Sequence, residues 1–308
     1  MKSPLVAMMA VAVAAGTTVV IAAIGEIVAE RAGVLNLGLE GMMLVGAVAG
    51  FTGVNASGSL AVAVLVALAA GAALGLLHAF LTVSLRANQI VAGLALTIFG
   101  VGLSALVGQD VVGIPARETF SRVAIPLLAD IPVVGRVLFQ QNLLVYLGYV
   151  LTITVWFLLS RTRVGLHLRA VGESAATADA MGVSVTGFRY GAVVFGGALA
   201  GLAGAHLSVA LTPGWNEGMT AGRGWIAIGL VIFARWNPIL ALVGGYLFGL
   251  MESLNFQAQA VGINVSPFFL GMLPYLFTVL AVVLGSLIGA RRLGAPADLG
   301  TAYEREEV

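Results

Sequence analysis

Cysteine is missing from all 308 residues, and lysine occurs once, as Lys2. The first absence removes disulfides, Cys-ligated zinc sites and iron–sulfur clusters. The second removes any phosphate-binding loop of the form G-x-x-x-x-G-K-[ST], so the chain has no ATP site of that kind. Charge is scarce too: Asp, Glu, Lys and Arg make up 9% of residues, and 15 bases against 14 acids leave a formal net charge of +1. Nucleic-acid binding, which draws on a large basic surface, is not expected of such a chain. An enzyme working inside a bilayer finds no support, because no nucleophile stands paired with a base. His78, His167 and His206 lie far apart without ligand spacing and read as core or interface side chains, not as a metal site.

What is present is apolar. The chain is 60% hydrophobic with 41 glycines, and its mean hydropathy is +1.04. Uncharged runs of about 20 residues read as membrane-spanning helices. The expected fold is therefore all-α, a polytopic membrane helix bundle forming a single membrane-spanning domain over 1–308. Segments are predicted near 5–28, 34–54, 59–85, 90–108, 142–160, 188–212, 222–236, 238–254 and 267–290, about nine in all with a range of eight to ten. The first apolar run is longer than the 7–15-residue core of a signal peptide and leads into further spans, so it reads as a retained span. The pair near 222–254 breaks at Arg235-Trp236-Asn237-Pro238. Pro cannot continue a helical ladder, and each piece is short for a full crossing, so a broken or re-entrant pair is predicted.

Loop arginines set the orientation. With the amino end outside and nine crossings, ten basic residues fall on the cytoplasmic side, Arg31, Arg86, Arg161, Arg163, Arg169, Arg189, Arg235, Arg291, Arg292 and Arg305, against five outside. The reverse topology inverts that balance. The carboxyl end is then cytoplasmic, 109–141 is an external loop expected to fold as a packed cap, and 161–189 is a cytoplasmic loop.

Charge is concentrated in GEIVAERAGVLNLGLEG, residues 25–41. A charge at the bilayer centre costs about 2.5–3.5 kcal/mol on insertion scales, so these side chains must face the protein interior or a cavity. Glu26 and Glu30 share a helix face at i,i+4 spacing, and Asn36 and Glu40 are expected to share one on the second span. Two readings stand side by side. In one, Glu26, Arg31 and Glu40 form an internal ion-pair and hydrogen-bond network. In the other, Asn36 and Glu40 line a translocation path and bond a polyhydroxylated solute. Asn88, at the start of the fourth span, is a further path candidate beside the default reading of Asn88 and Gln89 as solvated ends.

In the loop 161–189, residues 174–181 carry helix punctuation: Ser174 can cap the start, Gly182 suits a left-handed stop, and four alanines lie between. So short a helix is stable only when packed. It reads either as a connector packed on its own protein or as a knob for a cytoplasmic partner.

Three motifs bear on that choice. GLHLRAVGESAATADAMGV followed by FRYGAVVFGGALAGLAGAHL resembles permease subunits of ABC importers, in the branch for simple sugars, nucleosides and branched-chain amino acids. ERAGVLNLGLEGMMLVGA resembles the amino-terminal signature of nucleoside-type members, and GAPADLGTAYEREE resembles their carboxyl end. The resemblance runs from about Gly25 to Glu306. It implies a multi-pass protein of the cytoplasmic membrane that imports nucleosides or related small polar solutes, with sugars or branched-chain amino acids as alternatives. It implies a coupling helix centred on Glu173, Ser174, Ala175, Ala176 and Thr177, preceded by Gly172 and ended by Gly182. It also implies cytoplasmic ATP-binding subunits that carry ATP and magnesium, a second permease subunit, related or identical, and an extracytoplasmic solute-binding protein, with no cofactor on this chain. An ion-coupled secondary transporter is the competing class; Glu40, Glu252 and the Arg235–Pro238 break could serve it, but no internal repeat is visible.

Small residues recur at four-residue spacing, as in Gly197 with Gly201, Ala200 with Gly204, Gly71 with Gly75, Gly46 with Gly50 and Gly245 with Gly249. They predict close helix packing, with some available for a dimer seam. Trp215 and Trp225 are expected to act as interfacial anchors near the outer surface.

Overall fold

The computed structural model describes residues 4–260 and 294–304, together with Met272, Leu276, Val279, Leu280 and Val283. In chain order the helices are α1 (Pro4–Arg31), α2 (Leu39–Ser57), α3 (Leu60–Ala79), α4 (Gln89–Gly108), α5 (Val134–Leu138), α6 (Leu143–Arg161), α7 (Arg163–Glu173), α8 (Ala175–Ala180), α9 (Val185–Ala205), α10 (Arg223–Phe233) and α11 (Pro238–Ala260). Wider π turns, Phe80–Ser84 and His206–Leu211, prolong α3 and α9. Among the described residues seven helices are long and apolar enough to cross a membrane. The predicted segment 267–290 lies outside the described residues, apart from the five named above, which are helical and exposed.

The core is built on α1 and α9. The first packs against α6, α9, α10 and α11, the second against α1, α2 and α3. Glycine permits the closest approaches. A Cβ on Gly201 would stand 2.1 Å from the Ala67 carbonyl oxygen, and one on Gly46 would stand 2.3 Å from the Gly201 Cα. Across α1 and α11, a Cβ on Gly249 would meet the Ala12 oxygen at 2.1 Å. The small-residue repeats around Gly46, Gly71, Gly197 and Gly245 are thus used inside this chain, so the dimer seam expected of some of them is not what these four build.

Most loops gather at two ends. At the basic end lie Arg31, Arg86, the α7–α8 loop, the 234–237 turn and the segment 294–304, joined by contacts such as Arg31 to Gly294 O (3.2 Å) and to Arg235 O (3.4 Å). At the opposite end, residues 109–142 form a small cap. It contains two antiparallel strands, β1 (Arg122–Ala124) and β2 (Gln140–Asn142), paired Arg122 to Asn142. Gln141 ties the cap to α1 by donating to the Ala10 carbonyl at 2.9 Å, and Asn142 caps α6 by accepting from Val145 N at 3.1 Å.

Three expectations are corrected. The second span does not begin as a helix at 34, because residues 34–36 have no regular structure, 37–38 form a turn and α2 starts at Leu39; Asn36 therefore shares no helix face with Glu40. Only one member of the pair near 222–254 is short: α10 has 11 residues and α11 has 23. At about 1.5 Å per residue, α10 spans roughly half of a ~30 Å hydrocarbon core. The loop 161–189 holds an additional helix, α7, started by Thr162, whose Oγ1 accepts from Gly165 N at 3.1 Å.

Gly201→Ala is expected to destabilise the detergent-solubilised protein by about 1–3 kcal/mol, the usual cost of overpacking. A thermal unfolding midpoint equal to that of the wild type would contradict the close packing of α3 on α9.

A candidate functional site where two broken segments meet

The chain leaves the helical state twice inside the bundle. Residues 34–38 climb from the basic end along α4: Leu35 donates to Gln89 Oε1 (2.7 Å), and a Cβ on Gly38 would touch Leu96. Residues 212–222 descend along α2 from the opposite end. Trp215 packs with Leu44, Ala47, Val48 and Phe51, and Thr220 lies at Glu40. A Cβ on Gly100 would stand 2.6 Å from Gly41 Cα, and Gly100 is near the centre of the apolar helix Gln89–Val111. The two segments therefore meet about halfway through the bundle.

Backbone that is not helical at such depth needs partners for its polar groups. For the first segment they come from three helices. Glu26 Oε1 accepts from Asn36 N (3.0 Å), Thr97 Oγ1 donates to Leu37 O (2.8 Å), and His78 Nε2 lies 3.1 Å from Leu35 O. Within the segment, Asn36 Oδ1 accepts from Gly38 N at 3.0 Å. Glu26, Asn36 and His78 are completely buried, and Gln89 nearly so. Gln89 is thus not the solvated end expected from its position; it is spent on Leu35.

Glu40 holds the second segment. Its Oε1 accepts from Thr220 Oγ1 at 2.6 Å and Gly222 N at 2.9 Å, and its Oε2 accepts from Gly224 N at 2.6 Å. The carboxylate sits in the first turn of α2 and at the start of α10, where unpaired N–H groups and helix dipoles favour a negative charge. Reaching that geometry puts Ala221 at φ +48° and Gly222 at φ +81°; the first is uncommon for a residue with a side chain. Arg223 forms an ion pair with Glu252 of α11. Asn216, Glu217 and Ala221 are exposed on the outer face of this segment.

The ion-pair network read between Glu26, Arg31 and Glu40 does not form. Among the described residues the salt bridges are Arg86–Glu304 and Arg223–Glu252. Arg31 donates instead to the carbonyls of Gly294, Arg235 and Trp236, while Glu30 accepts from the Trp236 indole. Trp215 is not an interfacial anchor: it is 1% exposed and lies beneath Gly108, where a Cβ would overlap its ring. Asn88 is exposed at the basic end and caps α4, its Oδ1 accepting from Ile90 N (3.0 Å) and Val91 N (3.1 Å). His206 bonds Thr18 at 2.8 Å, and His167 lies edge-on to Phe188.

At the basic end, Ser174 Oγ accepts from Thr177 N at 3.3 Å and starts α8, and Gly182 stands at φ +81° beyond it. Ala175 is buried, while Glu173, Ala176 and Thr177 are exposed. Gly172 is buried because α7 ends on the α1–α2 turn, where a Cβ would stand 2.2 Å from Arg31 O. Residues 172–182 and the midplane pair Asn36 and Glu40 therefore occupy different levels of the bundle, joined through that turn. Sequence reasoning missed the descent of 212–222; its signals were the run of Gly, Pro and Asn and the acid Glu217 between two apolar stretches.

Residues 8–284 match the family described as branched-chain amino acid transport system, permease component. A putative glucose ABC transporter permease protein of Haloferax volcanii is 41% identical over 96% of this chain and 96% of its own length. A nucleoside ABC transporter permease protein of Lactococcus lactis is 37% identical over 90% and 92%, respectively. A guanosine ABC transporter permease protein of Bacillus subtilis is 34% identical, over 92% of each chain. No solved structure is matched.

Replacing Glu40 by Gln leaves an amide that cannot accept at both ends, which strands at least one buried donor at a cost of about 1–3 kcal/mol. Glu40→Gln is expected to lower membrane yield more than it changes solute preference. A well-folded variant with switched solute choice would contradict the clamp.

Proposed function

The chain belongs to the branched-chain amino acid transport permease family, and from that premise we propose that it conducts a nucleoside or a related small polar solute such as a sugar. It is a transport subunit of an ABC transporter, not an enzyme, and works with ATP-binding subunits and a solute-binding protein. The names of the relatives carry the choice of solute: two are nucleoside or guanosine permeases, and one is a glucose permease.

The midplane junction supports an uncharged, hydroxyl-bearing solute. The path runs over the exposed face of 212–222, past Asn216 and Glu217. A carboxylate exposed on a segment that descends into the bundle suits a water-filled passage, and both side chains can accept hydrogen bonds from sugar hydroxyls. Arg223, which could pair with an amino acid's carboxylate, is already joined to Glu252. Asn36 and Glu40 hold the wall of this passage, and Asn88 stays a cap. Discontinuous helices meeting at mid-depth are where transporters bind and gate.

The basic end is cytoplasmic and the amino end external, in keeping with the arginine balance. There α8 and its cap residue offer the exposed Ala176, Thr177 and Met181 to an ATP-binding subunit, which supplies ATP and magnesium. Force on α8 passes through Gly172 to the α1–α2 turn and along 34–38 to Glu40. An extracytoplasmic solute-binding protein delivers the solute, and a second permease subunit, related or identical, completes the passage.

The test is uptake of radiolabelled uridine, guanosine and glucose by the assembled transporter. Vanadate-sensitive uptake of a nucleoside that survives an ionophore is expected. Uptake that collapses with the ionophore while ATP persists would overturn the ATP-driven reading, and uptake of glucose alone would move the solute to the sugar class. Glu173→Ala and Ala176→Pro are each expected to abolish uptake while the protein stays in the membrane. Normal uptake by both would remove α8 from the coupling path.

A further inference from the structure

We propose that the segment 294–304 is a strap that positions the coupling helix, with Asp298 as its positioning residue. This rests on the reading of α8 as the site that receives the stroke.

The segment has no secondary structure of its own beyond a turn at 297–300, yet it touches nearly every element of the basic end. Asp298 bridges the α7–α8 corner. Its backbone N donates to Gly172 O at 2.9 Å, and its Oδ2 accepts from Ala175 N at 2.7 Å. The last turn of one helix and the first N–H of the next are thus held by one residue that belongs to neither. Two residues on, Gly300 N donates to Gly33 O in the α1–α2 turn at 3.2 Å. Arg189 of α9, 2% exposed, donates to Thr301 O at 2.9 Å. Tyr303 donates to Asp179 Oδ2 at the far end of α8 at 2.9 Å, and its ring packs against the cluster of Val171, Ala175, Ala178 and Val185. Glu304 pairs with Arg86, beyond α3.

A helix of six residues has too few internal hydrogen bonds to keep its own shape, so its position is set by what grips it. The buried face of α8 is covered by α7, α9 and Tyr303. The strap grips both ends of α8 and ties them to the α1–α2 turn, which leads to Glu40. A push on the exposed face then moves α8, the strap and the turn together; without the strap, the corner at Ser174 bends and the push is lost locally. The charge-assisted hydrogen bond that Asp298 accepts at the start of α8 makes it the tie to test.

The experiment uses the full transporter with its ATP-binding subunits and solute-binding protein, with guanosine and uridine as probes. Asp298→Ala is expected to reduce uptake, and ATP hydrolysis stimulated by the binding protein, by about tenfold, the effect of one charged hydrogen bond. Membrane yield, co-purification of the ATP-binding subunits and unstimulated hydrolysis are expected to stay near wild type. Asp298→Asn, which keeps an oxygen to accept from Ala175 N, is expected to recover most of the loss. Wild-type uptake by Asp298→Ala would overturn the proposal. So would a loss of yield or assembly proportional to the loss of uptake, unrelieved in Asp298→Asn, since that marks a role in folding alone. Ala176→Pro separates the two layers: if it abolishes uptake while Asp298→Ala does not, the coupling reading stands and the strap falls.

Discussion

A peptide group inside a membrane must find a hydrogen-bond partner in the protein, and most of the unusual residues of this chain answer that demand. The backbone leaves the helix at 34–38 and again at 212–222, inside the bundle. Glu26, His78, Gln89 and Thr97 are spent on the first segment. Glu40 is spent on the second. Each is costly in an apolar bundle, and each is explained by a named N–H, O–H or C=O. The polar side chains are consequences of broken backbone.

This arrangement joins the basic end to the midplane junction. The start of α2 is fixed on one side by 34–38, which leads to Arg31, Gly172 and α8. On the other it is fixed through Glu40 to α10, whose far end returns to Glu30 and Arg31 by way of Trp236. The loop from the basic end to the midplane and back is closed by hydrogen bonds, with glycines where elements must touch. A displacement at α8 therefore has a short physical route to the junction, and no part of that route requires a nucleotide site on this chain.

Much of the fold was legible in the sequence, because long apolar runs and their breaks report spans directly. The cap at Ser174, the stop at Gly182 and the break before Pro238 were legible for the same reason: each is a local rule about backbone geometry. What escaped was anything set by contact between distant residues. Asn36 looked helical because apolar residues continue through 34–38, and the partners on α1, α3 and α4 satisfy a non-helical path there. Trp215 looked like an interfacial anchor because Trp near a span end usually is one; here Gly108 opens room to bury it. Arg31 looked like the counter-ion of Glu26, but carbonyls from three other positions claim it first. Nothing local in residues 294–304 says what they bind, since their partners lie on α1, the α1–α2 turn, α7, α8, α9 and at Arg86.

The central claim is that events at the basic end reach the midplane junction. The absence of native cysteine lets one introduced thiol report on it. Asn216→Cys, in the transporter assembled with its ATP-binding subunits, can be labelled with a membrane-impermeant maleimide in the nucleotide-free state and after trapping with ATP and vanadate. The account predicts a severalfold difference in labelling rate between the two states. Equal rates, in a preparation shown to be trapped, would mean that the junction does not respond to the motor and would contradict it.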